Sequence, residues 1–124
     1  MKITAIILTF NEEIHLARCI ESLLPLTTDI VVVDSLSSDR TIDIARQYGA
    51  RVLERAWENN HSIQFNWALT QLDPNQTEWV LRVDADEVLT SDLVNQLQQV
   101  LPELDVETVG VHFYRKMCFQ GKLI

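Results

Sequence analysis

Ile30-Val31-Val32-Val33 is a run of four β-branched residues with no polar position among them. Such side chains are stiff at the first torsion and suit a pleated surface better than a helix. A strand with one wet face alternates apolar and polar residues, so an unbroken apolar run requires both faces to be covered. Ile3 to Leu8, interrupted only by Thr4, repeats the theme, and the apolar run Trp79-Val80-Leu81, followed by Arg82 and Val83, reads as a further strand. Arg51-Val52-Leu53 and Val109-Gly110-Val111-His112-Phe113-Tyr114 read as two further strands.

Helical segments fill the intervals. Asn11 reads as an N-cap with Glu12 and Glu13 in the first turn, where the helix dipole favours negative charge. Leu16, Ile20 and Leu23-Leu24 follow at helical spacing until Pro25. Thr41 to Tyr48 precedes Gly49, a residue suited to the position past a helix end. Ser38 or Asp39 is expected to cap it. Ser62 to Leu72 is stopped by Asp73-Pro74-Asn75. Ser91 is expected to cap a helix carrying Leu93, Val94, Leu97 and Val100-Leu101, ended by Pro102. Strand and helix thus alternate along the whole chain, which argues for an α/β layer with a mostly parallel sheet and helices on both faces.

The length of 124 residues suits one compact domain. A net charge of -8 excludes broad binding to nucleic acid, which relies on Lys and Arg against phosphates. It does not exclude a nucleotide, because a local cation can reverse the field at one site. Cys19 and Cys118 have no Cys-x-x-Cys partner or spaced histidine pair, so a zinc site is not expected. His15, His61 and His112 are dispersed, and the three tryptophans read as packing residues. No signal peptide and no apolar stretch of ~18 residues is evident.

In a parallel sheet the loops after the strands emerge at one edge, where ligands bind. Thr9-Phe10-Asn11-Glu12 follows the first strand, Asp34 to Asp39 the second, and Asp84-Ala85-Asp86 the fourth. Two carboxylates one residue apart can hold a hard divalent cation, and the cation can hold phosphates. The alternative is that Asp84 and Asp86 serve only the turn, a frequent use of Asp. Asp34 can accept a hydrogen bond from a ligand or tighten the Ser-rich turn. The chain has three glycines, none in a phosphate-binding loop. A nicotinamide dehydrogenase and a P-loop NTPase are therefore poor fits.

Three segments together resemble glycosyltransferase family 2: Ile7-Leu8-Thr9-Phe10-Asn11-Glu12-Glu13, Val32-Val33-Asp34-Ser35-Leu36-Ser37-Ser38-Asp39-Arg40-Thr41, and Leu81-Arg82-Val83-Asp84-Ala85-Asp86-Glu87. Within the family the likeness is to bacterial enzymes of lipopolysaccharide core biosynthesis. The resemblance implies a GT-A (Rossmann-like) fold that binds a nucleotide-diphosphate sugar. Thr9, Asn11 and Glu12 would border the nucleoside, and Asp34 would contact the base. Asp84 and Asp86 would be the Asp-x-Asp motif holding Mn²⁺ or Mg²⁺ against the diphosphate. It also implies inversion by direct displacement onto a glycan or lipid-linked acceptor. Where relatives often carry a second Asp and a Gly after the position of Asp34, this chain has Ser35 and Leu36. Where many carry Lys or Arg before the Asn matched here by Asn66, it has Phe65.

Members of the family run well beyond the equivalent of Ile124. The expectation is therefore a single domain over 1–124, the N-terminal donor-binding part of a longer enzyme. The catalytic base and acceptor site are expected beyond Ile124, and transfer by the chain alone is not expected. The setting implied is cytoplasmic, with peripheral association of the full-length protein at the inner face of the membrane. The competing readings are a nucleotide-sugar binding module without transfer, and a nucleotidyltransferase. The latter would bring a Gly-rich or basic loop near the first strand, and Thr9 to Glu13 is neither.

Overall fold

The computed structural model describes residues 2–73 and 75–103. Four strands, β1 (Ile3–Thr9), β2 (Ile30–Asp34), β3 (Arg51–Glu54) and β4 (Trp79–Asp84), form one sheet in the order β3-β2-β1-β4. Every pairing is parallel. The helices between them are α1 (Leu16–Leu23), α2 (Thr41–Gln47) and α3 (His61–Thr70), and α4 (Ser91–Val100) follows β4. A short 3₁₀ turn, Leu101–Glu103, comes next. The expected strand at 109–114 lies outside the described residues.

The apolar runs behave as their composition requires. All of β2 is buried, and in β1 only Leu8 is partly exposed. On one face of the sheet Ile3, Ala5, Ile7, Ile30, Val32, Trp79, Leu81 and Val83 pack against α1, α2 and α4. On the other, Ile6, Val31 and Val33 pack against α3. The alternation of these two sets is the period of two of a strand covered on both faces. Each buried aliphatic side chain contributes about 1.5–3 kcal/mol of transfer free energy. In α1 the buried residues Leu16, Cys19, Ile20 and Leu23 stand at i, i+3, i+4 and i+7, one stripe of a helix.

Helix starts depart from expectation in all four helices. The N-cap of α2 is Arg40, with no side-chain cap hydrogen bond, in place of the expected Ser38 or Asp39. Asn11 is not a cap. It adopts φ +52°, and α1 begins five residues later at Leu16 with no acid in its first turn. Asn60, not Ser62, opens α3 by accepting the Ile63 amide at 3.1 Å. Thr90, not Ser91, opens α4 by accepting the Leu93 amide at 3.1 Å. Gly49, at φ +78°, follows α2 as expected and takes the left-handed conformation that favours glycine there. Trp79 is buried and Trp67 partly so, but Trp57 is exposed, edge-on to His61. Among the described residues, no helix is long and apolar enough to cross a membrane.

The strand order determines where a ligand can sit. The chain runs outward from β1 to β2 to β3, then returns across the sheet to place β4 on the other side of β1. The strand order thus reverses between β1 and β4, and open α/β sheets bind ligands beyond the carboxyl ends of the strands at such a point.

Candidate functional site

Register brings the three informative strand ends level. Thr9 of β1 is the neighbour of Asp34 of β2, and Leu8 is the neighbour of Asp84 of β4. The residues picked out from sequence therefore meet on one rim.

Thr9 and Asp34 are joined directly. The Thr9 hydroxyl donates to Asp34 Oδ1 at 2.7 Å, and both residues are buried. Ser37 then closes over the carboxylate. Its amide donates to Oδ2 at 2.7 Å and its hydroxyl to Oδ1 at 2.6 Å. Asp34 thus has the partners of a turn-tightening residue, and no surface of it is exposed. Asn11 ties the two loops together. Its amide donates to Ser37 Oγ at 2.8 Å, and its side-chain oxygen accepts the Ser38 amide at 2.9 Å.

Glu12 is fixed by its backbone. Its amide donates to Thr41 Oγ1 at 2.8 Å, while its carbonyl accepts the amides of His15 and Leu16 at 3.0 and 2.9 Å. Asp39 braces the same corner by accepting from the amide and hydroxyl of Thr41 and from the Glu13 amide. Asp39 thus braces the start of α2 without being its N-cap, which is Arg40. Partial burial opposes ionisation of Asp39, but these hydrogen bonds more than offset it and hold its carboxyl below the usual range.

Asp84 and Asp86 differ from Asp34 in kind. Both are exposed, with buried Ala85 between them. Asp84 serves the fold through its backbone: its amide donates to Glu87 Oε1 and its carbonyl accepts the Glu87 amide, both at 2.9 Å. Among the described residues, no hydrogen bond ends on either aspartate carboxylate. Glu12 is within their electrostatic reach. Its carboxyl is raised by partial burial, against the opposing charge of His15, and raised further by Asp86, Asp39 and Asp84. Negative charge thus accumulates at this end of the rim. No group of three or more metal-ligating side chains occurs among the described residues. Two carboxylates suit a cation that takes its remaining ligands from water and a phosphorylated substrate, the usual arrangement for Mg²⁺.

Several features were not anticipated from sequence. Ser37 links two of the expected residues, Asn11 and Asp34, through one side chain, and only its place in a Ser-rich loop hinted at this. Gln64 is a buried polar residue on α3 that donates to Ser35 Oγ at 3.2 Å and to the Arg55 carbonyl at 3.1 Å. It connects the loops after β2 and β3. Phe65 carries the Arg82 guanidinium over its ring at 5.2 Å. Phe10 and Leu36, large apolar residues on the rim, are 58% and 56% exposed.

Comparison with known proteins gives a consistent result. The family model of glycosyl transferase family 2 matches residues 4–122. An uncharacterized glycosyltransferase of Rickettsia typhi is 35% identical over 99 residues, covering 80% of this chain and 32% of the relative. A lipopolysaccharide core biosynthesis glycosyltransferase of Rhizobium meliloti is 34% identical over 121 residues, covering 94% of this chain and 43% of the relative. The chain thus spans about a third to two fifths of the length of these relatives. The crystal structure of residues 1–349 of S. aureus TarS superposes with a TM-score of 0.71 at 26% identity, covering 83% of this chain and 33% of that fragment. TarS has also been crystallised with UDP-GlcNAc, and that structure superposes with a TM-score of 0.64.

Proposed function

This chain belongs to glycosyltransferase family 2 and has its GT-A fold, and on that premise we propose that it forms the donor-binding part of an inverting glycosyltransferase. Its ligand is a nucleotide-diphosphate sugar. The observation that carries this reading is the pair of exposed carboxylates, Asp84 and Asp86, at the end of β4, the strand beside β1. Among the described residues, no hydrogen bond of the fold ends on either carboxylate. An acidic pair left open in this way suits a divalent cation and, through it, a diphosphate.

Asp84 and Asp86 would hold Mn²⁺ or Mg²⁺. When bound, such a cation supplies neutralisation of the charge that develops on the leaving nucleoside diphosphate. The rest of the rim positions the donor. Thr9, bonded to Asp34, and Asn11, joined to Asp34 through Ser37, hold the loops after β1 and β2 in one shape, so that little ordering remains when the nucleoside arrives. In this reading Asp34 acts on the nucleoside by shaping its loop. Phe10 offers a ring face to the base, and Glu12 borders the nucleoside beside the acidic pair. The bound form of TarS supports a uridine diphosphate sugar as donor.

The acceptor is a glycan of the lipopolysaccharide type, a reading supported by the Rhizobium meliloti relative. Such an acceptor would bring the full-length protein to the inner face of the cytoplasmic membrane. Titration calorimetry of the full-length protein with UDP, GDP and CDP, with and without Mn²⁺, tests the donor site. Metal-enhanced binding of at least one is expected. Failure of all three to bind at millimolar concentration with metal present would remove the basis of the reading.

A further inference from the structure

Leu36 combines two features that serve no packing among the described residues. Its φ is +62°, a region in which a bulky L side chain crowds its own backbone. Its side chain is 56% exposed and belongs to neither core cluster. The other non-glycine residues with positive φ among those described are Asn11 and Asn59, a type that tolerates this conformation. The loop imposes the conformation. Asp34 holds the amide and hydroxyl of Ser37 on one side, and Asn11 holds Ser37 and Ser38 on the other. Glycine would satisfy that backbone without strain. Among the described residues, the fold of this loop gives the side chain no role.

The rim indicates what it faces. Phe10 follows Thr9, and Thr9 is the register neighbour of Asp34. Phe10 and Leu36 thus leave adjacent loops, each one residue before a partner in the Asn11–Ser37 hydrogen bond. They are large apolar side chains, both more than half exposed, at the β1–β2 end of the rim. The acidic pair sits at the β4 end, two strand spacings from β2, about 10 Å. A nucleoside diphosphate anchored through a divalent cation at Asp84 and Asp86 would reach this distance when extended, with its base at β2.

We propose that Leu36 is a nucleobase-contact residue, an apolar wall held ready beside Phe10 against the base of the bound nucleoside diphosphate. The inference rests on the donor-site reading above. It accounts for both features at once, since exposure ends and strain is offset only when the base is present.

The test uses Leu36→Gly, Leu36→Asn and Leu36→Met in the full-length protein, with UDP and Mn²⁺ as the probe. Gly and Asn relieve the backbone and remove the apolar wall, whereas Met keeps it. The expected result is a melting temperature for Leu36→Gly equal to or above that of the native protein. Leu36→Gly and Leu36→Asn should each weaken UDP binding by about five-fold or more, the scale of one partly buried aliphatic contact. Leu36→Met should stay within about two-fold of native. Native-like UDP affinity in Leu36→Gly or Leu36→Asn overturns the inference and leaves the donor site standing. A lowered melting temperature in Leu36→Gly overturns it too, because Leu36 would then serve the fold. If the native protein binds neither UDP nor another nucleoside diphosphate, the donor-site reading falls and takes this inference with it.

Discussion

The Thr9 hydroxyl lies 2.7 Å from Asp34 Oδ1, joining the last residues of two neighbouring parallel strands. Neither residue reaches the surface, so the bond acts by positioning. It fixes the exit of β2 relative to β1, and Ser37 and Asn11 carry that constraint into the loops above.

Asp34→Ala should therefore behave as a stability mutant first. It removes the acceptor for the Thr9 hydroxyl and for the amide and hydroxyl of Ser37. Leaving such donors unsatisfied in a buried site should cost about 2–4 kcal/mol. Urea denaturation measures this directly. A variant with native stability and only weakened nucleotide binding would show that Asp34 acts on the ligand and not on the loop.

Asp86→Ala and Asp84→Asn should do the reverse. Both carboxylates are exposed, and the backbone bonds of Asp84 with Glu87 survive the change to Asn. Stability should change by no more than about 0.5 kcal/mol, while the Mn²⁺-dependent gain in UDP affinity disappears. Loss of the fold in Asp86→Ala would mean that the residue braces its turn.

Glu12 predicts a pH-dependent difference. Its folded carboxyl is raised above 4.5, by partial burial first and by Asp86, Asp39 and Asp84 after it, against the effect of His15. A raised carboxyl means the fold favours the protonated form. The stability it contributes is present below pH 4.5 and is lost as pH rises through the folded value. Glu12→Gln mimics that protonated form. Its melting temperature should exceed the native one at neutral pH, and the gap should close below pH 4.5. Saturating Mn²⁺ should also narrow the gap at neutral pH by offsetting the acidic neighbours. A gap that ignores pH would rule out an electrostatic origin.

Cys19 should be chemically silent in the native protein. Burial, followed by Glu87, Asp86, Asp84 and Glu12, pushes its thiol up to about 12, and only the thiolate is a good nucleophile. Iodoacetamide at mildly alkaline pH should leave Cys19 unlabelled until urea is added, as read by mass mapping of its peptide. Labelling at the rate of an exposed thiol in native buffer would contradict this placement beneath the Asp84 carbonyl, which accepts its S–H at 3.6 Å.

Much of the scaffold was legible in the order of residues. The four β-branched residues of β2 demanded a strand covered on both faces, and α3 on one side with α1, α2 and α4 on the other supply that cover. The spacing of Leu16, Cys19, Ile20 and Leu23 marked the buried face of α1. Asp84 and Asp86 stood out because acidic residues directly after an apolar run have to emerge at the strand's end. These features depend on patterns within a few residues, which side-chain periodicity and local backbone geometry determine.

The tertiary structure decided which polar group pairs with which. Asn11 looks like a cap by local rules, but its amide and side chain are engaged by Ser37 and Ser38, so α1 starts later. Asp34 and Asp84 look alike as strand-ending carboxylates, yet one is sealed by Thr9 and Ser37 and the other left open. Leu36 shows no sign in sequence of the left-handed backbone that the bracing of its neighbours imposes. Each outcome depends on residues about 25 positions apart that meet only because β1 and β2 pair in a particular register. Hydrogen-bond geometry tolerates errors of a few tenths of an ångström, and no local pattern carries that information across such a distance.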